Sequence, residues 1–180
     1  MKSWMRKFLA AMMLLTACSQ AAHAASSESL GTDVAIALPL IAGGITLAKD
    51  DWKGSAQLTV DTVATVGLAY GLKHLIREQR PDKSDFQSMP SDTSALAFAP
   101  AQFLWDRYGW QYGVPAYAAA TFVAWSRVDA QKHHWYDVTA SAALAFGVSK
   151  IFTTRYQAPG LRYGVTPTEG GAYAALSYDF

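Results

Sequence analysis

Long apolar stretches separated by short polar segments dominate the chain between residues 34 and 154. Apolar side chains recur three or four residues apart in these stretches, and the segment RPDKSDFQSMPSD between two of them is rich in turn-forming residues. This pattern predicts an all-α fold, a helical bundle of about five helices. The predicted helices cover residues 34–48, 52–78, 94–108, 115–127 and 135–154. Several are rich in alanine and glycine, which allows helix axes to pack closely.

The length of the apolar runs leaves open whether these helices cross a membrane. The runs extend over about 12 to 15 residues, whereas a bilayer-spanning helix needs about 20. Charged residues interrupt several of them, at Asp61, Lys73, Asp106 and Lys150. A soluble bundle with an alanine-rich core and a set of short, tilted or peripheral membrane helices both agree with this pattern.

The last segment, residues 158–180, has a different pattern. LRYGVTP and AYAALSYDF alternate apolar and polar residues with period two on either side of Thr168-Glu169-Gly170-Gly171. Such alternation around a glycine-containing turn predicts a short C-terminal β-hairpin. An isolated hairpin is marginally stable in water, so we expect its apolar face to pack on the bundle.

The N-terminus has the features of an export signal. Basic residues precede the ten-residue apolar run Phe8–Ala17, and Ala22-His23-Ala24 fits a signal-peptidase site. An alternative is a lipoprotein signal that ends before Cys18, because Leu-Thr-Ala-Cys resembles a lipobox. Both interpretations predict an exported protein that is periplasmic, or membrane-associated on the periplasmic side. The expected organisation is a signal peptide at 1–24, a linker at 25–33, a helical domain at 34–157 and the hairpin at 158–180.

The charge of the chain after the leader excludes one class of partner. Loss of Lys2, Arg6 and Lys7 with the leader leaves 12 Lys+Arg against 14 Asp+Glu, without a basic tract. This balance does not favour nucleic-acid binding. With cleavage after Ala24 no cysteine remains, so neither a disulfide nor a thiolate metal site is expected.

A histidine and a carboxylate occur at helical spacing in SRVDAQKHHWYD. Asp137 follows His133 by four residues, so the two side chains share one face of a helix or of its first turn. A carboxylate bonded to one ring nitrogen would fix the tautomer and leave the other nitrogen as a directed lone pair. His134 has Val138 at that spacing, so we expect His133 to be the oriented histidine. Alone, such a pair is more often a surface contact than a catalytic dyad.

Three cations and a helix start add the groups that hold a phosphate. Lys73 precedes Arg80 by seven residues, and Arg127 precedes His133 by six. Ser91 lies where the 94–108 helix begins, and free backbone N–H groups at a helix N-terminus bind anions. Guanidinium forks, an ammonium and a hydroxyl together match the non-bridging oxygens of a phosphate.

These segments resemble the three-part signature of the type 2 phosphatidic acid phosphatase (PAP2) superfamily. The matching patterns are K-x6-RP at Lys73–Pro81, P-S at Pro90-Ser91 and S-R-x5-H-x3-D at Ser126–Asp137. The superfamily includes bacterial acid phosphatases, lipid phosphatases and vanadium haloperoxidases. The resemblance covers roughly residues 60–155 and implies a helical bundle in which the three motifs converge.

The resemblance also implies roles for the matching residues. His133 would attack phosphorus to give a phosphohistidine, and Asp137 would orient it. Lys73, Arg80 and Arg127 would bind the phosphoryl oxygens, with Ser91 as a further donor. The expected partner is a phosphorylated lipid or a small phosphate ester, with a membrane surface as a further candidate partner, and the chemistry requires neither a metal nor another cofactor.

The second motif departs from the family pattern P-S-G-H. Asp92 occupies the glycine position and Thr93 the position of the family's general-acid histidine. A threonine hydroxyl is too weak an acid for that role at neutral pH. Asp92 also brings a negative charge next to a phosphate site.

Three explanations of this departure remain open from the sequence. Another group could donate the proton, with Asp92, His134 and His74 as the candidates. A diphosphate substrate could need little protonation, because phosphate is a good leaving group. Alternatively, the protein could be a catalytically weakened relative that binds phosphate or phospholipid without hydrolysing it.

Overall fold

The structure is a computed structural model that describes residues 27–157 and 160–179, with the backbone only at 160–163 and 177–179. The leader expected over residues 1–24, with both of its cleavage patterns, lies outside the described residues. Within them the chain forms five α-helices followed by one two-stranded antiparallel hairpin, which confirms the predicted fold class. The helices are α1 Ser27–Ala48, α2 Trp52–Leu75, α3 Asp92–Tyr108, α4 Trp110–Asp129 and α5 Trp135–Phe152, and the strands are β1 Gly160–Thr168 and β2 Gly171–Asp179.

Helix α3 is the centre of the bundle and contacts all four other helices. Its residues Ala95, Ala97, Ala99 and Ala101 are buried, together with Phe98, Phe103 and Leu104. Small side chains let the neighbouring axes come close on every side, whereas the aromatic rings fill the remaining volume. The alanine-rich sequence therefore produces a core in which one helix is surrounded by the others.

Helix α1 begins earlier than the sequence suggests. The linker expected over residues 25–33 is helical from Ser27 onward, and Glu28 lies in the first turn of α1. The Ser27 hydroxyl donates to the Asp129 carboxylate at 2.6 Å, which ties the start of α1 to the end of α4. Glycine at position 31 permits this approach, because a Cβ there would overlap the Ser126 side chain.

Charged residues of the helices lie at the two ends of the bundle rather than along its sides. Residues 34–48, 93–105, 110–126 and 138–149 carry no Asp, Glu, Lys or Arg, and residues 54–72 carry only the buried Asp61. Lys73, Asp106 and Lys150 come near helix ends. The charges that interrupt the apolar runs in sequence therefore do not interrupt the apolar surface of the folded bundle.

That surface is an exposed apolar belt. It contains Ile36, Leu40, Ile41, Val60, Val63, Leu68, Val114, Phe122 and Phe146, all solvent-exposed. Exposed tryptophans lie near the helix ends, including Trp52, Trp105, Trp110, Trp125 and Trp135. Helix α1, with a mean hydropathy of 1.7, is long and apolar enough to cross a bilayer by itself.

The hairpin has the predicted turn but not the predicted packing. Strands β1 and β2 pair from Gly160–Asp179 to Thr168–Gly171, and Gly170 takes a positive φ of 104° in the turn. Neither strand contacts a helix. The expectation that the hairpin covers the bundle is therefore wrong, and its side chains Val165, Tyr173 and Leu176 are exposed.

A buried ion pair closes one end of the bundle. Asp51 caps α2 by accepting the Gly54 N–H, and Arg107 donates to both of its oxygens at 2.6 and 2.5 Å. The Tyr108 hydroxyl also donates to Asp51, and Arg107 reaches the Thr154 carbonyl after α5. This network connects the ends of α2, α3 and α5.

We predict that Asp51→Asn lowers the free energy of unfolding by about 3–5 kcal/mol, because it leaves the Arg107 charge buried without its counter-charge. Denaturant titration of the purified protein measures the change. Asp50→Asn is the matched control, since Asp50 is exposed and an asparagine tolerates its positive φ of 51°. Equal free energies of unfolding for the two variants would contradict a stabilising role of the Asp51–Arg107 ion pair.

Candidate active site

The three motifs meet at the end of the bundle opposite the Asp51–Arg107 pair. Lys73 lies in the last turn of α2, Arg127 in the last turn of α4, and His133 in the short loop before α5. They share a cavity of about 340 Å³ with Arg80 from the loop between α2 and α3. The complete lining is Glu28, Lys73, Arg80, Ser84, Asp85, Asp92, Thr93, Arg127, Lys132 and His133.

The imidazole of His133 is fixed by a backbone carbonyl. Its Nδ1 lies 2.6 Å from the Ser88 carbonyl oxygen, which can only accept, so Nδ1 carries the proton. The other nitrogen, Nε2, is therefore the unprotonated one and lies 3.4 Å from Nη1 of Arg80. This geometry leaves a lone pair directed toward the cavity, as a nucleophile requires.

The surroundings of His133 keep the ring uncharged. Burial is the main cause, the positive charges of Arg80 and Lys73 add to it, and together they lower the pKa of His133 to about 4. The Ser88 carbonyl and Asp137 oppose this shift without cancelling it. At neutral pH the histidine is therefore a neutral base, whose Nε2 electron pair accepts a long hydrogen bond from Arg80.

Asp137 acts on the loops around His133 more than on the ring itself. Its Oδ2 is 3.7 Å from Nδ1 of His133, too far for a hydrogen bond. The same oxygen accepts the Ser88 hydroxyl at 2.5 Å and the His134 backbone N–H at 2.7 Å. Asp137 is fully buried and holds the Ser88 segment and the start of α5 together. The spacing of four residues predicted the proximity, but the expected hydrogen bond between Asp137 and the His133 ring does not form. The same Oδ2 oxygen lies nearer to Nδ1 of His134, at 3.3 Å, and the Ser88 carbonyl fixes the His133 ring instead.

Each of the three motif cations has an acidic partner in the cavity. Lys73 forms a close ion pair with Asp92. Arg80 donates through Nε to Asp85 at 2.8 Å. Nη1 of Arg127 lies 3.6 Å from the Glu28 carboxylate, and Nη2 donates to the Glu28 carbonyl at 2.5 Å.

The remaining predicted residues divide between the cavity and its supports. Ser91 is buried as the N-cap of α3, accepts the Ser94 N–H at 3.3 Å and does not line the cavity. Thr93 lines it, as does Asp92. His74 and His134 do not, so of the proton donors considered from the sequence only Asp92 faces the same space as His133.

Sequence reasoning missed Ser88, Glu28 and Asp85. Ser88 binds both His133 and Asp137 from 45 and 49 positions away, and no local pattern marks such a contact. Glu28 was assigned to a linker, although an acidic residue before an apolar run is a signal for a helix start. Among the described residues, no group of three or more His, Asp or Glu side chains could hold a metal ion.

Comparisons with known proteins identify the family and the fold. The model of the PAP2 superfamily matches residues 56–160. The chain is similar to lipid A 4′-phosphatase of Helicobacter pylori strain J99, with 33% identity over 164 residues, covering 85% of this chain and 78% of that protein. The fold is similar to the crystal structure of Aquifex aeolicus LpxE, with a TM-score of 0.53 at 18% identity, covering 68% of this chain and 84% of that one.

We predict that His133 titrates near pH 4, well below the ordinary value of 6.5. The unfolded chain takes up this proton first, so the neutral ring contributes stability that is complete above about pH 6.5 and is lost as the pH falls toward 4. NMR of ring-labelled histidine measures the midpoint, and the signal missing in His133→Asn identifies the residue. A midpoint near 6.5 would mean that the ring is solvated and freely protonated.

Proposed function

The chain belongs to the PAP2 superfamily, and from that premise we propose that it is a phosphatase that hydrolyses a phosphorylated membrane lipid through a phosphohistidine at His133. One observation carries the proposal. The unprotonated Nε2 of His133 shares a 340 Å³ cavity with Lys73, Arg80 and Arg127. A neutral nucleophile surrounded by cations from two helix ends and one loop suits phosphoryl transfer, in which the protein mainly positions groups and stabilises charge.

The first step forms a bond between Nε2 of His133 and phosphorus. The two arginines and Lys73 bind the non-bridging oxygens, and the bond from phosphorus to the leaving oxygen breaks. The proton on Nδ1 stays in its hydrogen bond to the Ser88 carbonyl, so the phosphorylated ring is cationic. The nearby Asp137 carboxylate, 3.7 Å away, stabilises that charge.

The second step returns the enzyme to its starting state. Water attacks phosphorus, the bond to Nε2 breaks, and its electron pair remains on the ring. Asp137 and Ser88 are positioning residues in both steps, because they hold His133 without touching the phosphate. Their contribution is to keep Nε2 aimed at phosphorus while the charge on the ring changes.

Asp92 is the proposed proton donor to the leaving oxygen. It lies in the first turn of α3 and lines the cavity. It would take over the role of the family's general-acid histidine, whose position is occupied here by Thr93. Losing general-acid help costs about 10²–10⁴-fold in rate when nothing replaces it. A diphosphate substrate would depend less on this donor, because phosphate leaves without protonation.

The substrate class follows from the relative and from the surface of the bundle. The similar protein from Helicobacter pylori is named a lipid A 4′-phosphatase. The exposed apolar belt and the tryptophans near the helix ends support a bundle embedded in a bilayer, with the cavity at the level of the lipid head groups. We therefore propose a phosphorylated lipid, such as a phosphorylated saccharolipid, rather than a soluble ester.

The expected leader supports an orientation. Export would carry residue 25 across the membrane, so the start of α1 would lie on the periplasmic side. Glu28 lines the cavity from that first turn. The active site would then open to the periplasm, and the Asp51–Arg107 end would face the cytoplasm.

The alternative is a weakened relative that binds phosphate or phospholipid without turnover. The observation in its favour is Thr93 at the general-acid position, beside an intact set of binding residues. The two functions differ in whether a phosphoenzyme forms.

We predict that His133→Asn lowers phosphate release from a phosphorylated saccharolipid by about 10⁴–10⁶-fold, because the nucleophile is removed. His134→Asn is the matched control: it changes the adjacent histidine, keeps a good N-cap for α5 and should retain most activity. Acid quench with ³²P-labelled substrate should trap a phosphoenzyme in the wild type and none in His133→Asn. Phosphate binding without release or a phosphoenzyme would favour the binding protein.

We predict that the protein remains in the membrane pellet after carbonate extraction, since its apolar belt needs lipid.

The orientation in the membrane can be tested with two single-cysteine substitutions. Ser84→Cys places a thiol in the cavity wall, and Lys53→Cys places one at the opposite end of the bundle. A membrane-impermeant maleimide should label the first and not the second in intact spheroplasts, with the wild type as control for Cys18. The reverse labelling would place the site on the cytoplasmic side.

A further inference from the structure

The phosphate cavity is electrically balanced before any phosphate enters. Each cation that lines it has an acidic partner within the described residues. The four pairs are Lys73–Asp92, Arg80–Asp85, Arg127–Glu28 and Lys132–Asp82. With His133 neutral, the four cations and three acidic groups that line the cavity leave one positive charge, which Asp82 offsets from outside the lining through its ion pair with Lys132.

A phosphate ester dianion competes with the carboxylates for these cations. Arg80 donates to Asp85 through Nε, and the buried Nε of Arg127 has no hydrogen-bond partner in the described part of the chain, so both guanidinium groups keep donors for phosphate oxygens. The Lys73 ammonium, in contrast, is held in a close ion pair with Asp92. Adding two negative charges to a balanced, half-buried cavity is unfavourable unless carboxylates move away or take up protons. Recruitment of Lys73 to the phosphate therefore includes an exchange of partners.

The three carboxylates differ in what they can do after the exchange. Glu28 and Asp85 carry side chains that are 42% and 44% exposed and can turn into water as anions. The Asp92 side chain is 37% exposed as a whole, but its Oδ1 is buried and has no hydrogen-bond partner among the described residues. Once Lys73 moves to the phosphate, the Asp92 carboxylate lies next to a second anion without its counter-ion and without full hydration. Uptake of a proton is the remaining way to neutralise its negative charge.

We propose that Lys73 moves from Asp92 to the phosphate when phosphate binds, and that Asp92 takes up one proton. Binding of the substrate itself then puts the general acid into its protonated form. This inference rests on the proposed function. The charged and titratable groups that face Asp92 across the cavity are Lys73 of α2, Arg80 and Asp85 of the next loop, Arg127 of α4, Glu28 of α1, and Lys132 and His133 before α5.

The proton balance of the cycle is then complete. As Nε2 of His133 bonds to phosphorus and the ester bond breaks, the Asp92 proton passes to the leaving oxygen. The Asp92 carboxylate next takes a proton from the attacking water as the bond from phosphorus to Nε2 breaks. Phosphate departs, Lys73 returns to Asp92, and the proton is released to solvent. The cycle consumes one water and needs no other co-reactant.

Product phosphate allows the exchange to be measured without turnover. Isothermal titration of the wild-type protein in detergent micelles with inorganic phosphate, at pH 8, is repeated in buffers of different ionisation enthalpy. The slope of observed enthalpy against buffer enthalpy gives the protons taken up. We expect about one proton per phosphate for the wild type, about none for Asp92→Asn, and about one for the matched control Asp85→Asn.

Turnover gives an independent readout. Asp92→Asn should lose about 10²–10⁴-fold with an alkyl phosphate but little with p-nitrophenyl phosphate, whose leaving group needs no proton. Phosphate binding without proton uptake, or equal uptake in Asp92→Asn, would overturn the exchange. The phosphohistidine proposal would still stand if His133→Asn abolishes the phosphoenzyme. Failure of the wild type to bind phosphate at all would also overturn the exchange, whereas the phosphohistidine proposal is decided by the acid-quench experiment alone.

Discussion

The carboxylate of Asp137 is the contact on which the site depends. One of its oxygens accepts the Ser88 hydroxyl and the His134 N–H, and so joins the loop after α2 to the start of α5. Ser88 then presents its carbonyl to His133. This junction adds to the hydrogen bond from Arg80 to the Lys132 carbonyl and the Lys132–Asp82 ion pair, which join the same two segments. A fully buried charge is costly to leave unpaired, so these donors also stabilise the fold.

Antiparallel packing explains why motifs distant in sequence meet. Lys73 ends α2, Asp92 begins α3, Arg127 ends α4, and His133 precedes α5. Successive helices run in opposite directions, so an end of one helix and the start of the next lie on the same side of the bundle. Because the motifs fall at every such junction on one side only, the opposite side is free to be closed by structural contacts.

The sequence predicts the helices, the hairpin turn and the motif residues, because each depends on spacing within about ten residues. It does not predict the role of Ser88, which acts across more than forty positions, or the pairing of Glu28 with Arg127 across 99. The apolar belt is similarly hidden. Asp61 and Lys73 interrupt apolar runs in the sequence, but in the fold Asp61 is buried and Lys73 lies in the last turn of its helix.

The balanced pairs within the cavity also affect how a substrate arrives. Steering of an anion from solution needs a net positive field that extends beyond the surface, and salt bridges within the site largely remove that field. Free inorganic phosphate and soluble esters therefore gain no long-range attraction. Under the proposed function, a lipid in the same membrane as the protein would reach the site by lateral diffusion rather than by electrostatic capture.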